Sequence, residues 1–337
     1  MNFWEIQGFG SDRGVDFGER AGLVLAIAAL LDYLIGDPWG WVHPVQVMGA
    51  VISRYSQIVL KRLNYPLRQR LAGVGLTLLL VMGSGFVGWS LVAMSARLHP
   101  WLGLAVEAVL LASCLAGRSL RRAAEAVLQP LQAENLAEAR QQLSLYVGRD
   151  TESLSDAEIL RAVLETVTEN ATDGVMAPLF WAIAGSLTPL GSAPVALAYK
   201  AASTLDSMVG YRDAPYTHLG WSSARLEDAL TWLPCRLHVL TLALLSCRPG
   251  HVLRICRRDA PQDPSPNAGW SECAYAAALG VQVGGTNTYR GIVKHKPLLG
   301  DGDRPITPGV IQEAMRLTRL AFLLWLGGVL VVLLWRF

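Results

Sequence analysis

Apolar residues gather in runs long enough to suggest membrane crossings. Residues 71–96 carry no charge over 26 positions, and 98–117 are interrupted only by Glu107. About 20 apolar residues span the hydrocarbon core of a bilayer. These two runs, joined across Arg97 and His99-Pro100, therefore predict a transmembrane hairpin. Residues 320–335 are uncharged and extend upstream through Arg319. The run 21–36 is the weakest of the four because it ends through Asp32. Its flank contains Glu5, Asp12, Asp16 and Glu19 where a secretory leader carries basic residues, so it is expected to be retained.

Two further apolar stretches are punctuated. Residues 175–199 contain Pro178, Pro189 and Pro194, with Gly185 and Gly191, which reads as a broken or re-entrant hairpin. Residues 229–247 contain Pro234, Arg236 and His238 and read as a buried or interfacial helix. Irregular backbone at membrane depth is tolerated only where protein or a watery cavity covers it. The expectation is an all-α, polytopic membrane protein: about four full spans (21–36, 71–96, 98–117, 319–335), a broken hairpin and cytoplasmic helical segments. Residues 21–337 form one domain, and 1–20 are an unassigned extension.

Lys and Arg set the orientation. Sixteen of the 29 basic residues lie in 118–174 and 248–319, which places both segments on the cytoplasmic side of the cell (inner) membrane, with the active site there. Charged residues make up only 17% of the chain and hydrophobic ones 52%, which excludes intrinsic disorder. A net charge of +2 gives no field to attract nucleic acid. The five cysteines form no CxxC pair, so neither a zinc site nor a disulfide framework is indicated.

Several polar stretches carry candidate chemistry. Ser155 and Glu158 resemble a capping box opening a helix. On that helix Glu165, Glu169 and Asp173 recur every fourth residue and share a face. Their repulsion calls for a divalent cation or a basic substrate, or else the face is simply solvated. Lys200 and Asp206 stand with Ser203 and Thr204 beside an apolar run, where charge is expensive and usually functional. Asp263-Pro-Ser265-Pro-Asn267-Ala-Gly269-Trp270 is a rigid polar loop or a capped helix entry, with Gly269 permitting unusual backbone angles. Gly284-Gly285, followed by Asn287, Arg290, Lys294 and Lys296, could cradle a phosphate. No Walker A motif occurs. Asp32 to Pro38 and His43-Pro44-Val45 mark an early helix exit, flanked by Trp39 and Trp41 as interfacial anchors.

In order and spacing these stretches resemble one family, the cobalamin-biosynthesis adenosylcobinamide-phosphate synthases, over about residues 21–320. The shared patterns are D-x-x-x-G-D-P at 32–38, H-P-V at 43–45 and E-T-x-x-E-N-x-x-D-G-x-x-A-P at 165–178. Further along come Y-K-x-x-x-T-L-D-S-M-V-G-Y at 199–211, G-W-S-S-A-R-L-E-D at 220–228, S-P-N-A-G-W at 265–270, G-G-x-N-x-Y at 284–289 and K-x-x-x-G at 296–300.

The resemblance implies an integral membrane acid–amine ligase. It would join adenosylcobyric acid, a corrinoid, to (R)-1-amino-2-propanol O-2-phosphate or a related aminoalcohol phosphate, using ATP and Mg2+. Such a site must bind metal and deprotonate an amine, for which Glu165, Glu169, Asp173 and Asp206 are the catalytic candidates, with Glu169 and Asp173 as magnesium ligands. Lys200, Arg212, Arg225, Arg290, Lys294 and Lys296 are candidates for phosphate or carboxylate contacts. Asn170, Asn267 and Asn287 are candidates for the amide-rich corrin edge. Expected partners are these substrates, the lipid bilayer, a second copy of the chain or other enzymes of the pathway. Two alternatives stay open on the residues alone. One is a membrane transporter. The other is a phosphoalcohol transferase, which shares Asp173-Gly174-x-x-Ala177 but has Arg where this chain has Pro178.

Overall fold

The computed structural model describes residues 17–36 and 43–335; the expected features at 1–16, Asp37-Pro38, Trp39 and Trp41 lie outside them. Helices α1 (Phe17–Leu34), α2 (Pro44–Arg62), α3 (Pro66–Leu98) and α4 (Pro100–Ala112) come first. Next are α5 (Gly117–Gln132), α6 (Leu136–Ser144) and α7 (Asp156–Asn170). A π-helical turn, Ala171–Met176, leads into α8 (Ala177–Ser186). Then follow α9 (Ser192–Val209), α10 (Trp221–Leu245) and α11 (Pro249–Asp259). A 3-10 turn (Ala260–Gln262), α12 (Ala268–Leu279), strands β1 (Val283–Tyr289) and β2 (Ile292–Leu299), and α13 (Pro308–Trp335) complete the order. Helices α2, α3, α4 and α11 open on proline, where its missing N–H costs nothing and its fixed φ suits the first turn.

Among the described residues four runs are long and apolar enough to cross a bilayer: Pro66–Leu98, Pro100–Gln132 (α4 with α5), Trp221–Leu245 and Pro308–Leu333. The chain is a polytopic α-helical membrane protein. The set differs from the expected one in one member. Helix α1 has 18 residues and carries Glu19, Arg20 and Asp32, and it is not among the four. Residues 229–245 instead belong to one continuous α10, despite Pro234. Its polar residues are absorbed by the protein: His238 is fully buried and Arg236 lies against the rings of Trp232 and Trp270.

The chain divides into two compact units. One comprises Met1–Ala116, Pro178–Leu230 and Trp325–Phe337. Within it α9 packs against α3, α4 and α2, and α1 packs against α4. Small residues let these helices approach, as is usual where lipid supplies no hydrophobic drive. A Cβ on Gly88 would stand 2.6 Å from a Leu197 methyl, and one on Gly73 would stand 2.1 Å from the Leu219 carbonyl oxygen. Leu78, Leu79, Met82 and Phe86 of α3 remain exposed, as a lipid-facing side requires. Glu107, the one charge in its run, is buried. It is met by Arg20 at 3.4 Å and accepts from the Ser192 backbone N–H at 2.9 Å.

The other unit comprises Gly117–Ala177 and Thr231–Leu324. Its core is built from α5, α6, α7, α11 and α12 and contains Val127, Leu143, Ile159, Leu164, Ile255 and Tyr275. Helix α12 is buried on nearly every side. The strands form an antiparallel hairpin that pairs Gly285 with Lys296 and Asn287 with Lys294. Its two-residue turn, Arg290-Gly291, has positive φ at both positions (52° and 77°), the primed geometry that matches strand twist.

Residues 133–174 and 248–307, between the candidate spans, fold together within this unit, so they are expected on one membrane side. Single cysteines at Ala137 and Arg257, in a Cys247→Ser background because the other four native thiols are buried, should label from the same side of sealed vesicles. Opposite labelling would break the assignment.

Candidate active site

The second unit concentrates ionisable side chains under the β-hairpin. Helix α7 starts as the sequence suggests: the Ser155 backbone N–H donates to Glu158 Oε2 at 2.8 Å. Three turns later Glu165 is 2% exposed. Its Oε2 takes a short bond from Arg149, and its Oε1 accepts from the Gly284 backbone N–H at 2.8 Å. Arg149 also donates to Asn287 Oδ1 at 2.8 Å. Arg161 reaches Asn287 Oδ1 at 3.1 Å and the carbonyl oxygen of Gly284 at 2.6 Å. The next residue after Arg149, Asp150, holds the hairpin turn through the backbone N–H groups of Arg290 and Gly291.

Glycine is required at this edge. Gly284 has φ +92°, and a Cβ there would lie 2.0 Å from the Pro297 carbonyl oxygen; one on Gly285 would meet Arg161 at 2.9 Å. The Gly-Gly pair thus admits close backbone and side-chain approach, and the Gly284 N–H is occupied by a carboxylate.

Opposed residues of a hairpin share a face, so Asn287 and Lys296 are diagonal neighbours on one face of it. Lys296 lies 3.4 Å from Glu272 Oε1. Glu272, on α12, is 1% exposed. Burial pushes its carboxyl up to about 8, with Lys296 pulling it back and Glu169, Glu165 and Asp263 adding repulsion. Burial also raises Glu169, which feels Lys296, Asp263, Glu165 and Arg149. Lys296 is held above the ordinary lysine range: burial opposes its charge, but Glu272, Glu169, Glu165 and Asp263 outweigh it. Four polar atoms here are buried without a hydrogen-bond partner: Glu272 Oε2, Asp263 Oδ2, Asn287 Nδ2 and Arg161 Nε, the last lying 3.9 Å from Glu165 Oε1.

Asn267 is buried and accepts weakly from Arg236 at 3.4 Å. Gly269 serves close approach rather than an unusual backbone angle, since a Cβ there would meet Asp263 Cβ at 2.4 Å. Asn170 is exposed and donates to the Thr166 carbonyl oxygen. Arg290 and Lys294 are exposed on the hairpin.

The expected helix does run on through Asp173, but not as a regular α-helix: the α part, α7, gives way after Asn170 to the π turn, where Asp173 sits half-buried, so its spacing from Glu169 is no longer that of an α-helix. Pro178 has no N–H to extend an α ladder, and the Ala177 N–H reaches back five residues to Thr172. Lys200, Asp206, Arg212 and Arg225 belong to the first unit. Lys200 and Asp206 ride on α9, where six residues of helix turn them about 120° apart. Asp206 folds over the helix end, and a Cβ on Gly210 would lie 2.0 Å from its Oδ1.

The motifs alone did not assign Glu272, Arg149, Arg161 or Asp263 to the site. Glu272 had a readable signal as the lone charge in the apolar helix Ala268–Leu279. Arg149 sits in an unpatterned loop with no such signal.

A helical membrane protein with a compact unit gathering carboxylates, a lysine and amide side chains is the class these observations define. The pattern of the CobD/Cbib protein family matches residues 25–318, and the chain belongs to that family. It is 52% identical over 314 residues to "Cobalamin biosynthesis protein CobD" of Synechocystis, covering 92% of each chain. It is 43% identical to "Cobalamin biosynthesis protein CbiB" of Salmonella arizonae, over 91% of this chain and 99% of that one. It is 44% identical to "Cobalamin biosynthesis protein CobD" of Klebsiella pneumoniae, over 90% and 96%. No solved structure matches.

Two outcomes follow from this geometry. Glu165→Gln leaves Arg149 buried without its counter-ion, which should cost about 3–5 kcal/mol; a thermal melt checks it, and an unchanged midpoint refutes the pairing. Native Glu272 keeps its proton between its unfolded value of 4.5 and about 8, where the unfolded chain has released it. Stability should therefore fall as pH rises through that window. Glu272→Gln should reduce the slope and leave the share due to Glu169, as melts across pH would show.

Proposed function

We propose that the chain acts in cobalamin biosynthesis as an ATP-dependent ligase, joining a corrinoid carboxylate to the amine of an aminoalcohol phosphate to give adenosylcobinamide phosphate. The observation that carries this reading is the cluster under the hairpin, in which Glu169 and Lys296 come from ordered motifs of a family whose relatives are named for this pathway and Glu272 meets Lys296 at 3.4 Å. A carboxylate does not expel oxide, so it needs activation: transfer of the ATP γ-phosphoryl to it releases ADP and gives an acyl phosphate, whose carbonyl carbon the amine attacks, losing a proton to a base as the acyl C–O bond breaks and inorganic phosphate leaves. Lys296 suits anionic oxygens as a charge-assisted donor. Asn287, with its amide nitrogen free of partners, suits a carbonyl of the corrin edge. Glu165 has both oxygens engaged within the protein, which makes it a positioning residue for the hairpin. Lys200, Asp206, Arg212 and Arg225 remain candidate substrate contacts.

Magnesium commonly takes one or two carboxylates, with waters and substrate phosphates completing its shell. Among the described residues no group of three His, Cys, Asp or Glu is arranged as a complete protein site, so waters and substrate phosphates would have to complete the ion's shell. Glu169, with Asp173 as the second candidate, would hold the ion, which would offset charge on the nucleotide phosphates. The site is placed on the cytoplasmic face of the inner membrane, where ATP is available.

Membranes containing the protein should convert adenosylcobyric acid, aminopropanol phosphate and ATP-Mg2+ to the amide, detected by mass spectrometry with matching ADP. Glu169→Gln should lower turnover at least a hundredfold while the protein still inserts. Corrinoid uptake into vesicles without amide formation would replace the ligase with a transporter.

A further inference from the structure

Around Lys296 stand three carboxylates, Glu169, Glu272 and Asp263, all within its electrostatic reach. Glu165 is already matched by Arg149 and Arg161, which leaves Lys296, among the described residues, as the one ammonium beside Glu169, Glu272 and Asp263. Without a second cation, burial keeps the proton on Glu272, and a bound ammonium would take that proton's place. The deficit has an address. Glu272 Oε2 and Asp263 Oδ2 are buried and accept no hydrogen bond, although Glu272 Oε1 meets Lys296 and Asp263 Oδ1 accepts from the Ser265 N–H at 2.8 Å. Each carboxyl group is therefore fixed by one oxygen and leaves the other without a partner in the protein.

A cation that ligates directly needs several oxygens about 2.0–2.6 Å from one point. No three acidic, His or Cys side chains among the described residues converge in that way. A primary ammonium carries three N–H donors and reaches oxygens at about 2.7–2.9 Å, so it bridges acceptors that stand farther apart. Resting on the ligase reading above, we propose that Glu272 and Asp263 bind the ammonium of the amine substrate and thereby select an aminoalkyl phosphate. Lys296, its side chain 30% exposed, is placed beside them for the anionic end of the same molecule. A zwitterion with its two charges a few bonds apart matches this alternation of acid and base.

The test is calorimetric binding to the full chain in detergent, with ethanolamine phosphate and its hydroxyl analogue, ethylene glycol phosphate, as probes. The wild type should bind the amine at least tenfold more tightly than the analogue. Glu272→Gln and Asp263→Asn should each lower amine affinity at least tenfold, with ATP and Mg2+ affinities within twofold of wild type. Unchanged amine affinity in both variants overturns the proposal. So does a wild type without preference for the amine, and so does a loss confined to Mg2+, which would make this a metal site. If Glu272→Gln does not fold, Asp263→Asn decides. Because the readout is binding, a wild type that binds the amine but makes no amide defeats only the ligase reading.

Discussion

The geometry of the site hangs on one buried carboxylate. Glu165 joins three pieces far apart in sequence: α7, which carries it; the loop that brings Arg149; and the hairpin edge at Gly284. Ion pairs taken out of water repay their desolvation only when the remaining hydrogen bonds are also made. Here Arg149 shares Asn287 Oδ1 with Arg161, and Glu165 uses both oxygens. Asn287 is thereby fixed in orientation with its amide nitrogen uncommitted. Lys296 follows from the same constraint, because its place opposite Gly285 is set by the strand pairing.

A second buried network braces the other side of α12. Thr172 in the π turn bonds His238 of α10 at 2.8 Å and Ser271 of α12 at 2.7 Å, while the Tyr275 hydroxyl meets both His238 and Thr318 of α13. Ser271 in turn donates to the Thr168 carbonyl oxygen at 2.6 Å. One residue on from Ser271 is Glu272. Satisfied polar networks in low dielectric are rigid, and this one ties the helix that carries Glu272 to α7, which carries Glu169. The π turn belongs to the same arrangement: the widened ladder ahead of Pro178 is where Thr172 enters the network.

Much of this was legible in the sequence, and the exceptions have physical causes. The uncharged run at 71–96 announces α3, because a lipid-facing helix must be apolar along its length. The start of α7 is legible because a capping box is a local interaction. The hairpin was not, because Gly284-Gly285 weakens any strand pattern and its stability comes from Arg161 and Glu165, over a hundred residues upstream. Helix α10 was read as a shorter segment at 229–247. Proline, arginine and histidine interrupt the apolar pattern, while the partners that neutralise them, Trp270 for Arg236 and Thr172 and Tyr275 for His238, are remote in sequence. Spacing alone puts Glu165, Glu169 and Asp173 on one helix face and does not distinguish them. Their environments separate them: one is consumed by structure, one sits in the charged cluster, and one lies beyond the end of α7.

That separation bears on how spacing motifs are interpreted. Periodicity assigns residues to a face but says nothing of what the face meets. A residue whose every oxygen is engaged by the protein gives up its capacity to engage a substrate, however invariant its spacing. A lone carboxylate in an apolar helix is the opposite case. Glu272 is buried at a cost that its 3.4 Å contact to Lys296 does not cover, so burial holds its proton on and its second oxygen has no partner in the protein. Groups with perturbed protonation gather at functional sites, which makes the incompletely satisfied acid a better guide to chemistry than the evenly spaced ones.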